Sequence, residues 1–151
     1  MIEVLEKLLS NTTFLTVMSG VLVYIISQFY LENIINPQKR YKDLRERISY
    51  TIALYCCYYS NPYNLLKEKD NVRMKDEYDT ASGEMRKIGA ELAGYIGTIP
   101  KIRKKKREKL NNVLNTIIGI SNGFYIVSEN FNTIEANIKC EKTIKKELNI
   151  E

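Results

Sequence analysis

The chain has 151 residues, which is enough for one domain and too few for several. Lys and Arg outnumber Asp and Glu by 23 to 18, giving a formal charge of +5, and the basic excess lies after residue 37. This asymmetry indicates a membrane surface or an acidic partner on the C-terminal side. Histidine is absent, so the commonest general base and metal ligand is missing.

Recognisable catalytic motifs are absent from the sequence. The three cysteines are an odd number, and Cys56 and Cys57 are adjacent, which is typical of reduced cytosolic thiols. The sequence contains neither a phosphate-binding glycine loop nor a metal-ligand spacing. We therefore predict that the protein is not an enzyme and has no catalytic residue, cofactor or metal site.

The first predicted element is a membrane span. No charged side chain occurs from residue 8 to residue 31, and about 20 apolar residues cross a ~30 Å hydrocarbon core as a helix. Pro37 is expected to end this helix, because the residue before a proline avoids the helical region. We predict that 1–36 form an N-terminal segment and a retained transmembrane helix, with a short amphipathic run over 2–9.

Two alternatives to a retained span remain. A signal peptide has a basic start, a shorter apolar stretch and a small-residue cleavage site, and this N-terminus is slightly acidic with a long apolar stretch. A buried core helix is the other alternative, because threonines and serines dilute the hydrophobicity of the segment.

The charges that flank the span predict its orientation. Only Lys7 precedes it, whereas five cations follow closely: Lys39, Arg40, Lys42, Arg45 and Arg47. Cytoplasmic flanks carry the excess of Lys and Arg. We therefore expect an inner-membrane protein with its N-terminus outside and residues 37–151 forming a cytoplasmic helical domain.

Small residues form one stripe along the span, at steps of three, four and seven: Thr13, Thr16, Gly20 and Ser27. Small residues let helix backbones approach closely in lipid, which predicts a seam between copies of the chain in a homo-oligomer. In the alternative, the span is a monomeric anchor whose hydroxyls bond to backbone carbonyls one turn back.

Four later segments repeat apolar residues at helical spacing, and the predicted helices cover 38–60, 75–98, 108–127 and 132–148. The apolar stripe of the first of these helices, expected in the core, is Tyr41, Leu44, Ile48, Ile52, Tyr55 and Tyr59, and that of the second is Tyr78, Ala81, Met85, Ile88, Leu92 and Ile96. The expected stripe of the third is Leu110, Val113, Leu114, Ile117, Ile120, Phe124 and Val127, and that of the fourth is Ile134, Ile138, Ile144 and Leu148. A polar connection over 61–75 follows the break at Asn61-Pro62, and no strand is expected. The predicted fold is all-α, with one N-terminal transmembrane helix followed by a three- to four-helix cytoplasmic bundle.

The segment 101–109 is the sharpest local feature. Seven of its nine residues are basic: Lys101, Arg103, Lys104, Lys105, Lys106, Arg107 and Lys109. Because it follows Pro100, we expect an exposed connection between helices. It could bind anionic lipid, where each nearby cation contributes ~1 kcal/mol, or a nucleotide or nucleic acid, or it could be an ordinary solvated charge run.

Tyrosines form a second cluster, beside the adjacent cysteines: Tyr55, Tyr58, Tyr59 and Tyr63. Tyrosine rings can stack on a base or another planar ring. The favoured interpretation is that these tyrosines belong to the core and to the packing of the turn that follows.

Three sets of short sequences resemble a pattern found in one family of proteins. The first is Asn36-Pro37 followed by Tyr-Lys-Asp-Leu-Arg-Glu-Arg-Ile over 41–48 and Tyr-Ser-Asn-Pro over 59–62. The second is Ser-Gly-Glu-Met-Arg-Lys-Ile-Gly-Ala-Glu-Leu-Ala-Gly-Tyr over 82–95, ending at Ile99-Pro100, and the third is Leu-Asn-Thr-Ile-Ile-Gly-Ile-Ser-Asn over 114–122. Over about 13–125 the chain resembles small, largely uncharacterised bacterial single-pass membrane proteins. The resemblance implies an anchor with a cytoplasmic helical domain and a bacterial or prophage setting, and it implies no catalytic residues. The lysine run fills a connection that is more apolar in that family, so the resemblance implies no shared partner surface there.

These features lead to one functional hypothesis with two alternatives. We expect a non-enzymatic membrane protein that self-associates and whose cytoplasmic domain binds a protein partner or ligand. By analogy of architecture alone, it could disrupt membranes as an effector of bacterial antiviral defence. The alternatives are a membrane-tethered nucleotide or nucleic-acid sensor that uses 101–109, and an accessory subunit or scaffold of a larger membrane complex.

Overall fold

A computed structural model of the protein describes residues 11–65, 72–100, 103–126 and 132–150. The described residues are mostly helical. The elements are α1 Thr12–Tyr30, a π-helical segment Leu31–Ile35, α2 Asn36–Leu54, α3 Cys56–Ser60, β1 Tyr63–Asn64, α4 Val72–Thr98, α5 Lys104–Asn122, β2 Tyr125–Ile126 and α6 Thr133–Leu148. The chain divides into two compact units, one ending at Lys42 and one beginning at Asp43. This division does not locate a membrane boundary, so the domains 1–36 and 37–151 stay a prediction.

The first unit contains α1, which begins at a capped N-terminus. The Asn11 side chain accepts hydrogen bonds from the backbone N–H groups of Thr13 (3.0 Å) and Phe14 (3.3 Å), which satisfies donors that a helix start leaves unpaired. The predicted amphipathic run over 2–9 and the first residues of the expected span lie outside the described residues.

The prediction that Pro37 ends this helix is wrong, because helical backbone runs from Thr12 to Leu54. The π-helical segment ends at Ile35, two residues before Pro37, and the Asn36 N–H donates to the carbonyl of Leu31, five residues earlier. In an ordinary α-helix the proline ring clashes with the carbonyl four residues back. A π turn widens the backbone at that point, so the helix passes the proline without ending.

The second unit has its core between the later helices, and most of the predicted stripes are buried in it. On α2 and α3, Leu44, Ile48, Ile52 and Tyr59 are buried and Tyr55 is half-buried. Tyr41, the first residue of the predicted stripe, belongs to the first unit and is half-buried. The predicted single helix over 38–60 breaks at Tyr55, whose backbone leaves the α region (φ −101°, ψ 13°) before α3 begins.

Helices α4 and α5 supply the centre of this core. Five of the six predicted α4 residues are buried: Ala81, Met85, Ile88, Leu92 and Ile96. Gly89 lets the two helices approach, because a Cβ atom there would lie 3.4 Å from Ile117 Cγ2. The Ser82 hydroxyl also crosses between them and donates to the Ser121 carbonyl at 2.9 Å. Leu110, Val113, Ile117 and Ile120 are buried on α5, and Val127 lies outside the described residues.

Two of the four residues predicted to be buried on α6 are exposed. Ile144 and Leu148 are buried, but Ile134 is 41% exposed and Ile138 is 39% exposed. The buried face instead starts with Thr133 and Asn137.

Asn137 explains why polar residues replace isoleucine on the buried face of α6. Its side-chain amide donates to the Tyr59 carbonyl at 2.8 Å and to the Gly123 carbonyl at 2.6 Å. Buried carbonyls need a hydrogen-bond donor, which an isoleucine cannot supply. One amide therefore joins α6 to α3 and to the end of α5.

The sequence did not predict the short parallel pairing of β1 with β2. Tyr63 pairs with Tyr125 and Asn64 with Ile126, and the Tyr63 N–H donates to the Phe124 carbonyl at 2.8 Å. Two-residue strands are too short to show an alternating pattern in sequence. They fix the segment after α3 against the segment after α5, beside the buried Asn137.

Gly123→Ala should destabilise the second unit. A Cβ atom at this position would lie 2.0 Å from Asn137 Oδ1, so the amide must move and lose its buried hydrogen bonds, at a cost of about 1–3 kcal/mol. Gly94→Ala is the matched control, because no atom lies within 4 Å of its added Cβ and alanine in a helix gains about 0.5–1 kcal/mol. Urea unfolding of the full chain in maltoside micelles, followed by circular dichroism, measures both changes. Equal stability of the two variants would contradict the assigned role of Asn137.

Candidate functional site

The most unusual surface in the described residues is α1 itself, because none of its side chains is buried. Its large apolar side chains are widely exposed, for example Val23 (63%), Ile26 (65%) and Phe29 (66%). Within the described part of the chain, it belongs to one helix near the N-terminus that is long and apolar enough to cross a membrane.

The four residues of the predicted association stripe all lie on exposed positions of α1. The Thr16 hydroxyl donates to the Thr12 carbonyl at 2.9 Å, and the Ser27 hydroxyl donates to the Val23 carbonyl at 2.7 Å. A Cβ atom on Gly20 would meet nothing within 4 Å. The Thr16 and Ser27 hydroxyls therefore have backbone acceptors, as the monomeric alternative expects. The small side chains also leave room for another helix to pack against the stripe. Association through it stays a prediction.

The basic segment is not the exposed connection that the sequence predicted. Arg103 directly precedes α5, and the residues from Lys104 to Lys109 form its first turns, while Lys101 lies outside the described residues. Lys, Arg and Glu are good helix formers, and Lys104 pairs with Glu108 one turn on, at 3.9 Å. The first turn contains no acidic residue, so cations stand where the helix dipole disfavours them.

The cations of this segment divide into two sets. Lys106 donates to the Tyr95 hydroxyl at 3.1 Å and lies 5.4 Å from the centre of that ring, and Lys109 pairs with Glu147 at 3.8 Å. The side chains of Arg103, Lys105 and Arg107 make no hydrogen bond or ion pair with another described residue. Within the described part of the segment, these three cations are the ones whose side chains have no hydrogen-bonding or ion-pair partner among the described residues.

The tyrosine cluster is partly core, as the sequence favoured. Tyr59 and Tyr63 are buried, and the Tyr59 hydroxyl donates to the Ile52 carbonyl at 3.2 Å. Tyr55 and Tyr58 are half-buried, with ring centres 6.0 Å apart. The sequence did not associate Tyr78 with this cluster, although its ring centre lies 5.0 Å from that of Tyr58.

Polar contacts hold the outer side of this aromatic cluster. The Tyr78 hydroxyl donates to the Asn61 carbonyl, and the Tyr125 hydroxyl donates to the Asp79 carboxylate. Burial and the hydrogen bond to Asp79 raise the pKa of Tyr125 well above the ordinary value. Tyr125 therefore stays neutral at physiological pH, and the cluster holds its hydroxyl as a donor.

A cavity of about 580 Å³ opens beside the two half-buried tyrosines. Tyr55 and Tyr58 line it together with residues of the first turns of α4, among them Arg73, Asp76, Glu77 and Ala81. Burial, and next the charge of Glu84, raise the pKa of Tyr55. The cavity therefore combines aromatic walls with a surplus of negative charge.

The cysteines have little nucleophilic character. Cys56, Cys57 and Cys140 are free thiols, and the Cys56 and Cys57 sulfurs lie 4.0 Å apart. Burial raises the pKa of Cys56 and of Cys140, which lowers their thiolate fraction. Among the described residues, no group of three or more acidic or cysteine side chains is arranged to hold a metal ion.

No protein-family model, curated protein or solved structure matches this chain. The resemblance to small bacterial membrane proteins therefore stays a prediction from the sequence.

Proposed function

We propose that this chain is a non-enzymatic, single-span membrane protein that self-associates through α1 and whose helical unit from Asp43 onward binds a partner or ligand. The observation that carries the proposal is that α1 has no buried side chain. Large apolar side chains left in water rather than buried cost about 1.5–3 kcal/mol each, and lipid removes that cost.

The polar groups of α1 are also compatible with lipid. Threonine and serine hydroxyls donate to carbonyls of their own helix, so α1 brings few unpaired donors into hydrocarbon. The cations from Lys39 to Arg47 follow the span and favour a cytoplasmic position for the second unit of an inner-membrane protein.

Self-association is proposed from the small-residue stripe. In lipid the hydrophobic effect does not drive helices together, so close backbone packing decides association. A stripe with Gly20 at its centre offers such packing, because no other described part of the chain lies within 4 Å of the place where its Cβ would be. In the sharper version of the proposal, engagement of the helical unit promotes this association and the assembled spans disrupt the membrane, as in an effector of bacterial defence.

Gly20→Leu should shift the full-length protein from oligomer to monomer, since an isobutyl group at the centre of the stripe separates the helix backbones. Leu22→Phe is the matched control, because it adds bulk to the opposite side of α1 and should leave the oligomer intact. Cross-linking of the protein in liposomes, together with its mass in maltoside micelles, reports the change. If Gly20→Leu leaves both the oligomer and any membrane damage unchanged, self-association through this stripe is wrong.

A second candidate function is a tethered sensor of a nucleotide or nucleic acid. It is favoured by the basic start of α5, where Arg103, Lys105 and Arg107 have no partner among the described residues. Arginine suits phosphate because its planar fork can donate two hydrogen bonds to one group. Arg103 and Arg107 are one turn apart, so they share a face of the helix start.

The double variant Arg103→Gln, Arg107→Gln should weaken binding of a short single-stranded oligonucleotide or a cyclic dinucleotide to the full chain in maltoside. It should also reduce the slope of oligonucleotide affinity against salt by roughly 0.7 for each phosphate that the variant no longer neutralises. Lys104→Gln, Lys109→Gln removes the same charge from residues that already have partners and should change binding less. Fluorescence anisotropy over a range of salt concentrations measures both. The sensor function is contradicted if the unaltered protein binds neither probe at low salt, and binding only to anionic vesicles would assign the segment to lipid.

A further inference from the structure

The cavity beside Tyr55 and Tyr58 offers a site that neither the membrane span nor the basic segment uses. Its volume of about 580 Å³ lies within the range of small-molecule sites in proteins. The described residues that line it all belong to the second unit. The cavity is therefore a property of the helical unit itself.

Tyr55 and Tyr58 line the cavity, and contacts with the rest of the aromatic cluster hold their rings in place. Tyr58 packs edge-on against Tyr78, with ring centres 5.0 Å apart, and stacks with Phe124 at 6.4 Å. Tyr55 packs edge-on against Tyr58. Phe124 is completely buried, so these rings are supported from the core. Aromatic faces attract cations through the ring quadrupole.

Two carboxylates also line the cavity, together with one arginine. Asp76 lines the cavity, and its carboxylate makes no hydrogen bond or ion pair with another described residue. Glu77 also lines it, paired at 3.5 Å with Arg73, whose side chain is 91% exposed. An ion pair so open to water contributes little, so a ligand can replace Arg73 at Glu77 at small cost.

The balance of charge selects among ligand classes. An anion would face Asp76 and Glu77, and Glu84 lies close enough to raise the pKa of Tyr55. A neutral apolar ligand would remove water from Asp76 without giving its carboxylate a partner, which costs free energy. A cation with an apolar body gives the carboxylates a partner and covers the rings together.

We propose that this cavity binds an organic cation, with an ammonium or guanidinium group held by Asp76 and Glu77 and its alkyl part against Tyr55 and Tyr58. The same chemistry is found in a free alkylamine and in the lysine side chain of a protein.

The test uses the full chain with ¹³C-labelled tyrosine in maltoside micelles, because this detergent has no cationic group. Butylammonium is titrated beside 1-butanol, which has a similar alkyl chain without charge. We expect saturable shifts of the Tyr55 and Tyr58 ring signals with butylammonium only. Titration with Nα-acetyl-lysine methylamide, which keeps the side-chain ammonium, distinguishes the two sources of the cation. Tighter binding than butylammonium indicates a lysine of a protein partner, and equal binding indicates a free amine.

Variants of exposed or half-buried residues test the two halves of the site. Asp76→Asn should weaken butylammonium binding about threefold, whereas Asp43→Asn, the same change on α2 away from the cavity lining, should leave it unchanged. Tyr55→Leu should weaken binding about threefold while Tyr55→Phe, which keeps a ring, should retain it. The site is overturned if butylammonium gives no saturable shift, if 1-butanol shifts the same signals equally, or if Asp76→Asn binds as the unaltered protein does.

Discussion

Nineteen residues of apolar helix without one buried side chain are the constraint on which the rest of this protein depends. Water penalises such a surface in proportion to its area, and the hydroxyls of Thr16, Ser19 and Ser27 are already bonded to carbonyls of their own helix. Lipid is the environment in which both facts are favourable. The π-helical segment at Leu31–Ile35 likewise keeps polar groups paired, because it lets the backbone stay hydrogen-bonded as the helix passes Pro37.

The second unit is organised around polar groups placed inside an apolar core. Asn137 bonds to two carbonyls from different segments, and the neighbouring strand pair joins the same two regions. Beside them, the aromatic cluster is buried on its inner side and half-exposed at Tyr55 and Tyr58. A rigid inner cluster with an open edge is how a small helical domain can present a preformed ligand surface.

Helical periodicity predicted the elements whose buried faces are apolar. The stripes of α2 and α4 were correct at Leu44, Ile48, Met85 and Leu92, because an apolar residue at each step fixes the phase of the helix. On α6 the buried Asn137 is indistinguishable by residue type from a surface asparagine, so the prediction selected the neighbouring isoleucines. The basic start of α5 was assigned to a connection because it follows Pro100, and the structure places Lys104–Lys109 in the helix although cations there oppose the helix dipole.

The candidate sites also differ in whether the sequence alone could predict them. The small-residue stripe and the basic segment could be read from sequence because each is local. The cavity could not, since Tyr55 and Asp76 lie on different helices and their proximity depends on the folding of the second unit. Only its tyrosines gave a signal, as a cluster around Cys56 and Cys57.

The most direct test of the membrane span is the reaction of the protein's own thiols with a membrane-impermeant maleimide in bacterial spheroplasts, before and after permeabilisation. All three cysteines follow the span, and Cys57 is exposed. A spanning α1 with the second unit in the cytoplasm predicts labelling only after permeabilisation, of protein that stays in the membrane fraction through an alkaline wash. Labelling in intact spheroplasts would contradict the orientation, and recovery of the full-length protein in the soluble fraction would contradict the span itself.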